Sequence, residues 1–190
     1  RGSDVHFVKG VAEGWLRSEG RIATAKSCNV LPFGTFARTA PRLLVPLFQR
    51  RYCWDTAQQQ RLWRDVASPS GLAPHGLGRV TVQRSQHKPT DSILIDGQQR
   101  ITTLMLLVAA LHHTVRDHDP LLAGELEQVL VHPDARATKL RPHRAWANVF
   151  EAVVTDSRGD AVRDSRFDDN YAFFRSQVRP DEDNMLLIAT

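Results

Sequence analysis

The stretch ILIDGQQRITTLMLL, residues 93–107, admits few folds. Branched apolar side chains stop at Asp96-Gly97, two glutamines and an arginine follow, and an apolar run begins at Ile101. In that run Ile101, Leu104, Met105, Val108 and Leu111 recur at helical spacing, which predicts a helix from Gln99 to about Val115. Leu106 and Leu107 widen the stripe almost all round, so the helix is expected to be buried and central. A buried strand entering a buried helix through one glycine turn needs a sheet on one side and further helices on the other. The chain is therefore read as α+β, a small mixed sheet with flanking helices followed by a mainly helical region.

Other segments fill in that outline. LLVPLFQRRYCW (43–54) is extended by composition, and Pro46 points to an edge strand or one broken by a turn. DTAQQQRLWRDVA reads as a helix capped by Asp55 or Thr56, with Leu62, Trp63 and Val66 on its apolar side. SPSGLAPHGLG is a surface loop, and RVTVQ and SILI are short strands able to pair as a hairpin. After Pro120, LAGELEQVLV, RAWANVFEAVV and DDNYAFFRSQV read as helices. EGWLRSEGR near the start is a further short helix, whereas LPFGTFARTAPR, punctuated by Pro32, Gly34 and Pro41, reads as loop. The organisation expected is an extension over residues 1–35, an α/β domain over 36–118 and a helical region over 119–190. The missing initiator methionine and an end inside the apolar MLLIAT suggest a piece of a longer chain.

Two cysteines, Cys28 and Cys53, are too few for a disulfide framework and have no zinc-like spacing, so a reducing cytoplasm is the expected location. No apolar run approaches the roughly 20 residues that cross a bilayer, and no membrane partner is expected. Formal net charge is +4, and the excess is uneven. Arginines 38, 42, 50, 51, 61 and 64 face a single acid, Asp55, between Arg38 and Arg64. Arg136, Lys139, Arg141 and Arg144 follow with no acid between Ala135 and Phe150. Clustered arginine is the footprint of a phosphate-rich partner.

The Asp96-to-Arg100 turn has the chemistry for such a partner. A helix beginning just after a glycine leaves its first N–H groups without intrahelical partners at the positive end of the dipole, where anions bind. Gly97 lets a phosphate approach the backbone, Gln98 and Gln99 offer amides, and Arg100 offers a fork matched to phosphate oxygens. Asp96 is either a helix cap or a candidate Mg²⁺ ligand. In PLFQRRYCW, Gln49 and Arg50 pair an amide with a guanidinium beside Tyr52 and Trp54, a set suited to a phosphate next to a stackable base. The aromatics read more readily as core anchors, and Arg51 as a solvated charge. No GxSxG, no GxxxxGK[ST] and no nuclease-type His or carboxylate cluster stands in the sequence, and the histidines lack metal-ligand spacing.

The blocks VPLFQRRYCW, LWRDV, GLGRV, ILIDGQQRITTLMLLVAAL, KLRPHRAW and DDNYAFF, in this order, resemble the N-terminal domain of the GmrSD/SspE-type family of bacterial antiphage restriction proteins. The resemblance implies a ParB/sulfiredoxin-like α/β fold in which the DGQQR turn binds and hydrolyses a nucleotide, GTP or ATP, as an NTPase. That activity would be coupled to sensing of modified DNA, phosphorothioate DNA above all, and to an HNH nuclease or nickase domain further along the chain. Carried over, Asp96, Gln98, Gln99, Arg100 and Gln49 are the catalytic candidates, and Gly97, Gln98, Arg100 and Arg50 the nucleotide ligands. Pro46, Phe48, Gln49, Arg50, Tyr52, Lys139 and Arg141 are the DNA-contact candidates. Mg²⁺ is the cofactor candidate, with Asp96 as its ligand, and a homo-oligomer is an admitted assembly. The chain departs from the family pattern at Phe48, usually tyrosine, at Arg51, usually proline or small, and at Trp146, near which a carboxylate is usual. Two other classes stay open: a ParB-like DNA-binding module without hydrolysis, and a protein-interaction scaffold built on the helical half.

Overall fold

The structure, a computed structural model, describes residues 30–67, 76–86, 88–133, 137–143, 145–157, 165–180 and 186–188. The expected helix in EGWLRSEGR and most of the SPSGLAPH loop lie outside them, as do Arg136 and Arg144.

The first element is α1 (Phe33–Thr39), where the sequence reads as loop. Its start has no side-chain cap, and its roughly two turns are held from outside. The Lys139 ammonium donates to the Ala37 and Arg38 carbonyls at 2.7 and 2.6 Å, satisfying two acceptors that a short helix leaves free. Phe33 and Ala37 are buried in the main core. Tertiary packing and a lysine about a hundred residues downstream thus override the local signal of Pro32, Gly34 and Pro41.

Strand β1 (Arg42–Leu44) follows, then α2 (Thr56–Ala67), β2 (Thr81–Arg84), β3 (Asp91–Asp96) and α3 (Gln98–Val115). The chain continues through α4 (Pro120–Leu130), the short β4 (Val131–His132) and β5 (Ala137–Thr138), and β6 (Leu140–Arg141). It closes with α5 (Ala147–Val154), α6 (Arg166–Gln177), β7 (Val178–Pro180) and β8 (Leu186–Ile188). Asp55 caps α2, accepting from Ala57 N–H at 2.9 Å while Gln58 returns the bond to Asp55 N–H at 2.9 Å.

The main sheet is mixed, in the order β2-β3-β1-β6. β1 runs parallel to both β3 and β6, and β2 pairs antiparallel with β3 as the expected hairpin. Of the two readings of Pro46, an edge strand or one broken by a turn, the second holds: β1 is interior, and Pro46 lies beyond its last residue at the start of a turn, where no ladder N–H is needed. The segment beyond residue 119 is largely helical, and it also supplies β6, which pairs Leu43 with Leu140.

Helix α3 is the axis of the core. Every residue from Ile101 to Leu111 is buried, with α4, α5 and α6 packed around it. At its far end the buried His113 joins three helices, meeting Tyr171 Oη at 2.8 Å through Nδ1 and the Val154 carbonyl at 3.0 Å through Nε2. A carbonyl only accepts, so Nε2 carries the proton and Nδ1 accepts from the tyrosine. Burial lowers the His113 pKa to about 4, which keeps that neutral tautomer in place at neutral pH. No helix among the described residues is long and apolar enough to cross a membrane.

Candidate functional site

Strand directions decide where chemistry collects. Because β1, β3 and β6 are parallel and β2 is antiparallel, the segments after β1, β3 and β6 and the one before β2 meet at one end of the sheet. Their described residues are 45–54, 97–100, 142, 143, 145, 146 and 76–80, with Asp96 at the end of β3. In open α/β sheets such carboxyl-end crevices are where ligands bind.

The turn after β3 is built around two glycines. Gly97 caps α3 at φ 91°, a conformation that favours glycine, and a Cβ there would stand 3.0 Å from Val80 Cγ2. Gly78 has φ +88°, and a Cβ on it would stand 2.9 Å from the Arg100 Cζ. Arg100 therefore lies flat against the Gly78 backbone, donating from Nη1 to the Arg79 carbonyl at 2.9 Å. Among the described residues the rest of its fork has no acceptor, so it is available to another. The first helical bond of α3 runs from Ile101 N–H to Gly97 O at 2.9 Å, so the amides of residues 98–100 have no intrahelical partner. No side chain caps them either: Asp96 is exposed at the end of β3 and does not act as the cap.

The three glutamines have separate tasks. Gln99 is buried, and its amide mimics a strand: Oε1 accepts from Cys53 N–H at 2.9 Å and Nε2 donates to the Arg51 carbonyl at 3.0 Å. It holds the backbone of the FQRRYCW block. Gln49 holds the same block from the other side, donating from Nε2 to the Ile95 carbonyl at 2.7 Å. Gln98 is the exception, 6% exposed, with its Oε1 buried and unpartnered. Leaving such an oxygen unpaired costs about 1–3 kcal/mol. Of the two glutamines that open α3, Gln98 is the one whose amide oxygen has no partner among the described residues.

Tyr52 belongs to the interior. Its hydroxyl donates to Asn170 Oδ1 at 2.7 Å and meets Thr103 Oγ1 at 2.7 Å, while Thr103 donates to the Gln99 carbonyl at 2.8 Å. Two hydroxyl protons serve three contacts, so one proton is shared. Asn170 Nδ2 donates to the Trp54 and Arg166 carbonyls at 3.2 and 2.8 Å. The ring stacks on Phe167 at 5.2 Å, and burial raises the phenol's pKa. Tyr52 is thus a core anchor and presents no face to DNA.

Among the other candidates, Phe48 is 77% exposed, as its neighbour Leu47 is 74% exposed, and Arg50 and Arg141 are exposed as well. Pro46 is half-buried at the base of their turn. Arg51 is no bare solvated charge: its guanidinium lies over the Trp146 ring at 5.4 Å from the centroid. The two departures at 51 and 146 therefore contact each other and tie two of the four loops together. Lys139 is not brought to this face. It is buried, its ammonium is spent on α1, and desolvation lowers its pKa to about 8. Sequence reading missed Gly78, Thr103 and Asn170; GLGRV and DDNYAFF signalled only that those blocks matter.

No group of three or more His, Cys, Asp or Glu side chains among the described residues could hold a metal ion. Were Mg²⁺ to bind, Asp96 would offer it one exposed carboxylate, in keeping with an ion that keeps most of its waters and takes one or two carboxylates beside substrate phosphates.

The profile of the GmrSD restriction endonuclease N-terminal domain matches residues 34–188. The chain belongs to that family. Its matched range takes in all four converging loops. A restriction-endonuclease family implies DNA as a partner, and a nuclease-related hydrolase role for the protein of which such a domain is part. No curated protein matches the chain.

Proposed function

We propose that this GmrSD-type domain binds a nucleoside triphosphate, GTP or ATP, on the Asp96-to-Arg100 turn, hydrolyses it, and grips modified DNA with the same face, passing the outcome to a nuclease domain. One observation carries the reading: unpaired α3 amides, a half-free Arg100 and an unpaired buried Gln98 oxygen stand together at the carboxyl ends of the parallel strands. The amides receive phosphate oxygens, and Arg100 neutralises charge that develops on them. Gln98 or Gln49 is the amide that would orient water: Gln99 is held by backbone through both its oxygen and its nitrogen, whereas Gln49 gives only Nε2 to Ile95. Mg²⁺ held by Asp96 would bridge phosphate oxygens and offset their charge.

For DNA, Arg50, Arg141 and Arg100 supply the phosphate contacts, with the strong salt dependence that counterion release imposes. A phosphorothioate replaces one oxygen by a softer, less hydrated sulfur, which favours an apolar wall beside a cation. Leu47 and Phe48 next to Arg50 meet that description; Tyr52 does not reach it. Reading of the phosphorothioate mark is the finer part of the proposal.

Phosphate release from GTP and from ATP with Mg²⁺ tests the reading, with Arg100→Ala and Gln98→Met beside the parent. Arg100→Ala is expected to lower turnover about 100-fold, as loss of one charge-stabilising donor does. Gln98→Met is expected to lower turnover while raising stability by roughly 1 kcal/mol, since it removes an unpaired buried oxygen. Absence of release from the parent, with salt-sensitive duplex binding retained, would leave a DNA-binding module without hydrolysis.

A further inference from the structure

From the geometry of residues 46–49 we infer that Leu47 and Phe48 form a rigid apolar wedge that inserts between base pairs of duplex DNA. This rests on the DNA-binding part of the function proposed above and extends it from contact to deformation.

The segment is a tight turn, closed by Gln49 N–H to the Pro46 carbonyl at 3.1 Å, with Leu47 and Phe48 at its corners. Such a tip need not be stiff, but this one is anchored on both sides. Behind it, Pro46 fixes one backbone angle and Val45 N–H bonds the Arg141 carbonyl at 3.0 Å. Ahead of it, Gln49 is pinned to Ile95 at 2.7 Å, and Gln99 clamps residues 51 and 53. Tyr52, locked among Thr103, Asn170 and Phe167, roots the whole block in the core.

On that pedestal stand two adjacent large apolar side chains, 74% and 77% exposed. Each forgoes about 1.5–3 kcal/mol of burial. The occupant that would recover it is indicated by the charges around the tip. Arg50, Arg51, Arg79 and Arg141 are exposed on the same end of the sheet, Arg100 is half-buried there, and the exposed acids nearby in sequence are only Asp55 and Asp96. A protein surface of ordinary composition gains little from that ring, whereas DNA offers phosphates to the arginines and base faces to the tip. Proteins that kink DNA insert Leu or Phe between steps in this way, at a cost of a few kcal/mol of stacking.

A wedge prefers a step that is already weakly stacked, wherever in the duplex it lies. The test compares binding of the chain to a 30-base-pair duplex, fully matched or carrying one central mismatch, with 2-aminopurine beside the mismatch. The parent is expected to bind the mismatched duplex about tenfold more tightly and to raise the fluorescence severalfold. In Leu47→Ser with Phe48→Ser the preference is expected to fall to about one and the fluorescence rise to vanish; both residues are exposed, and an unchanged melting temperature confirms the fold. Arg50→Ala is expected to weaken both duplexes alike and leave the preference intact. Equal binding of both duplexes by the parent, without a fluorescence rise, overturns the wedge while DNA binding stands. No binding to either duplex overturns both. A dimer of the parent that the double serine variant dissolves also overturns the wedge, because the tip would then be covered by a second copy.

Discussion

Asn170→Ala is expected to lower stability by on the order of 3 kcal/mol, lowering the melting temperature by roughly 8 °C. Asn170 is 0% exposed and 118 residues from its partner Tyr52. Its amide serves the Tyr52 hydroxyl, the Trp54 carbonyl and the Arg166 carbonyl at once. Alanine leaves the Trp54 and Tyr52 groups without their partner in a site that water cannot easily enter, and adds a small cavity. Tyr52→Phe keeps the stacking on Phe167 but leaves the buried Asn170 Oδ1 without its donor, so a smaller loss of about 1–2 kcal/mol is expected. Denaturant melts of the two variants check the ordering. Equal losses would mean that the ring's hydroxyl, and not the asparagine, is the hub. The consequence reaches the site, since Tyr52 roots the loop that presents Leu47, Phe48 and Arg50.

Periodicity made the centre of this fold readable. The run from Ile101 to Leu111 is apolar on nearly every side, and only a surrounded helix tolerates that. The hairpin of β2 and β3 was equally plain from two short apolar runs around a turn. What escaped depends on long-range partners. α1 forms because Lys139 satisfies its last carbonyls, and nothing within LPFGTFARTAPR records a lysine so far away. β1 is central because β6 arrives from residue 140 to cover its far side, which decides between the two readings of Pro46 in favour of a turn that ends the strand. At the site, DGQQR was legible as polar residues that packing did not demand, but their division of labour was not. Gln98 and Gln99 are neighbours of one type, and only the positions of Arg51 and Cys53 across the turn distinguish the clamp from the unpaired oxygen. Arg51 and Trp146 likewise read as separate departures until stacking joins them.

Gln99→Leu is expected to unlock residues 45–54, and limited trypsin digestion should show it directly. Arg50 and Arg51 are exposed cleavage sites whose backbone is held by Gln49 on one side and by Gln99 on the other. A protease needs an extended, mobile segment, so cleavage there tracks the population of the opened loop. Loss of two hydrogen bonds at about 1 kcal/mol each corresponds to roughly a 30-fold rise in that population. Gln99→Glu keeps the acceptor for Cys53 N–H but sets a buried carboxylate oxygen against the Arg51 carbonyl, so its cleavage rate should rise at least as far as that of the leucine variant. DNA affinity should weaken in the same order, because the Leu47-Phe48 tip and Arg50 ride on the loop. If Gln99 instead acted on the nucleotide itself, turnover would drop in both variants while trypsin cleaved them no faster than the parent. Its two backbone partners favour the first outcome, in which Gln99 positions the loop; in the function proposed above, Asp96, Gln98 and Arg100 are the side chains of the DGQQR turn that would meet the ligand.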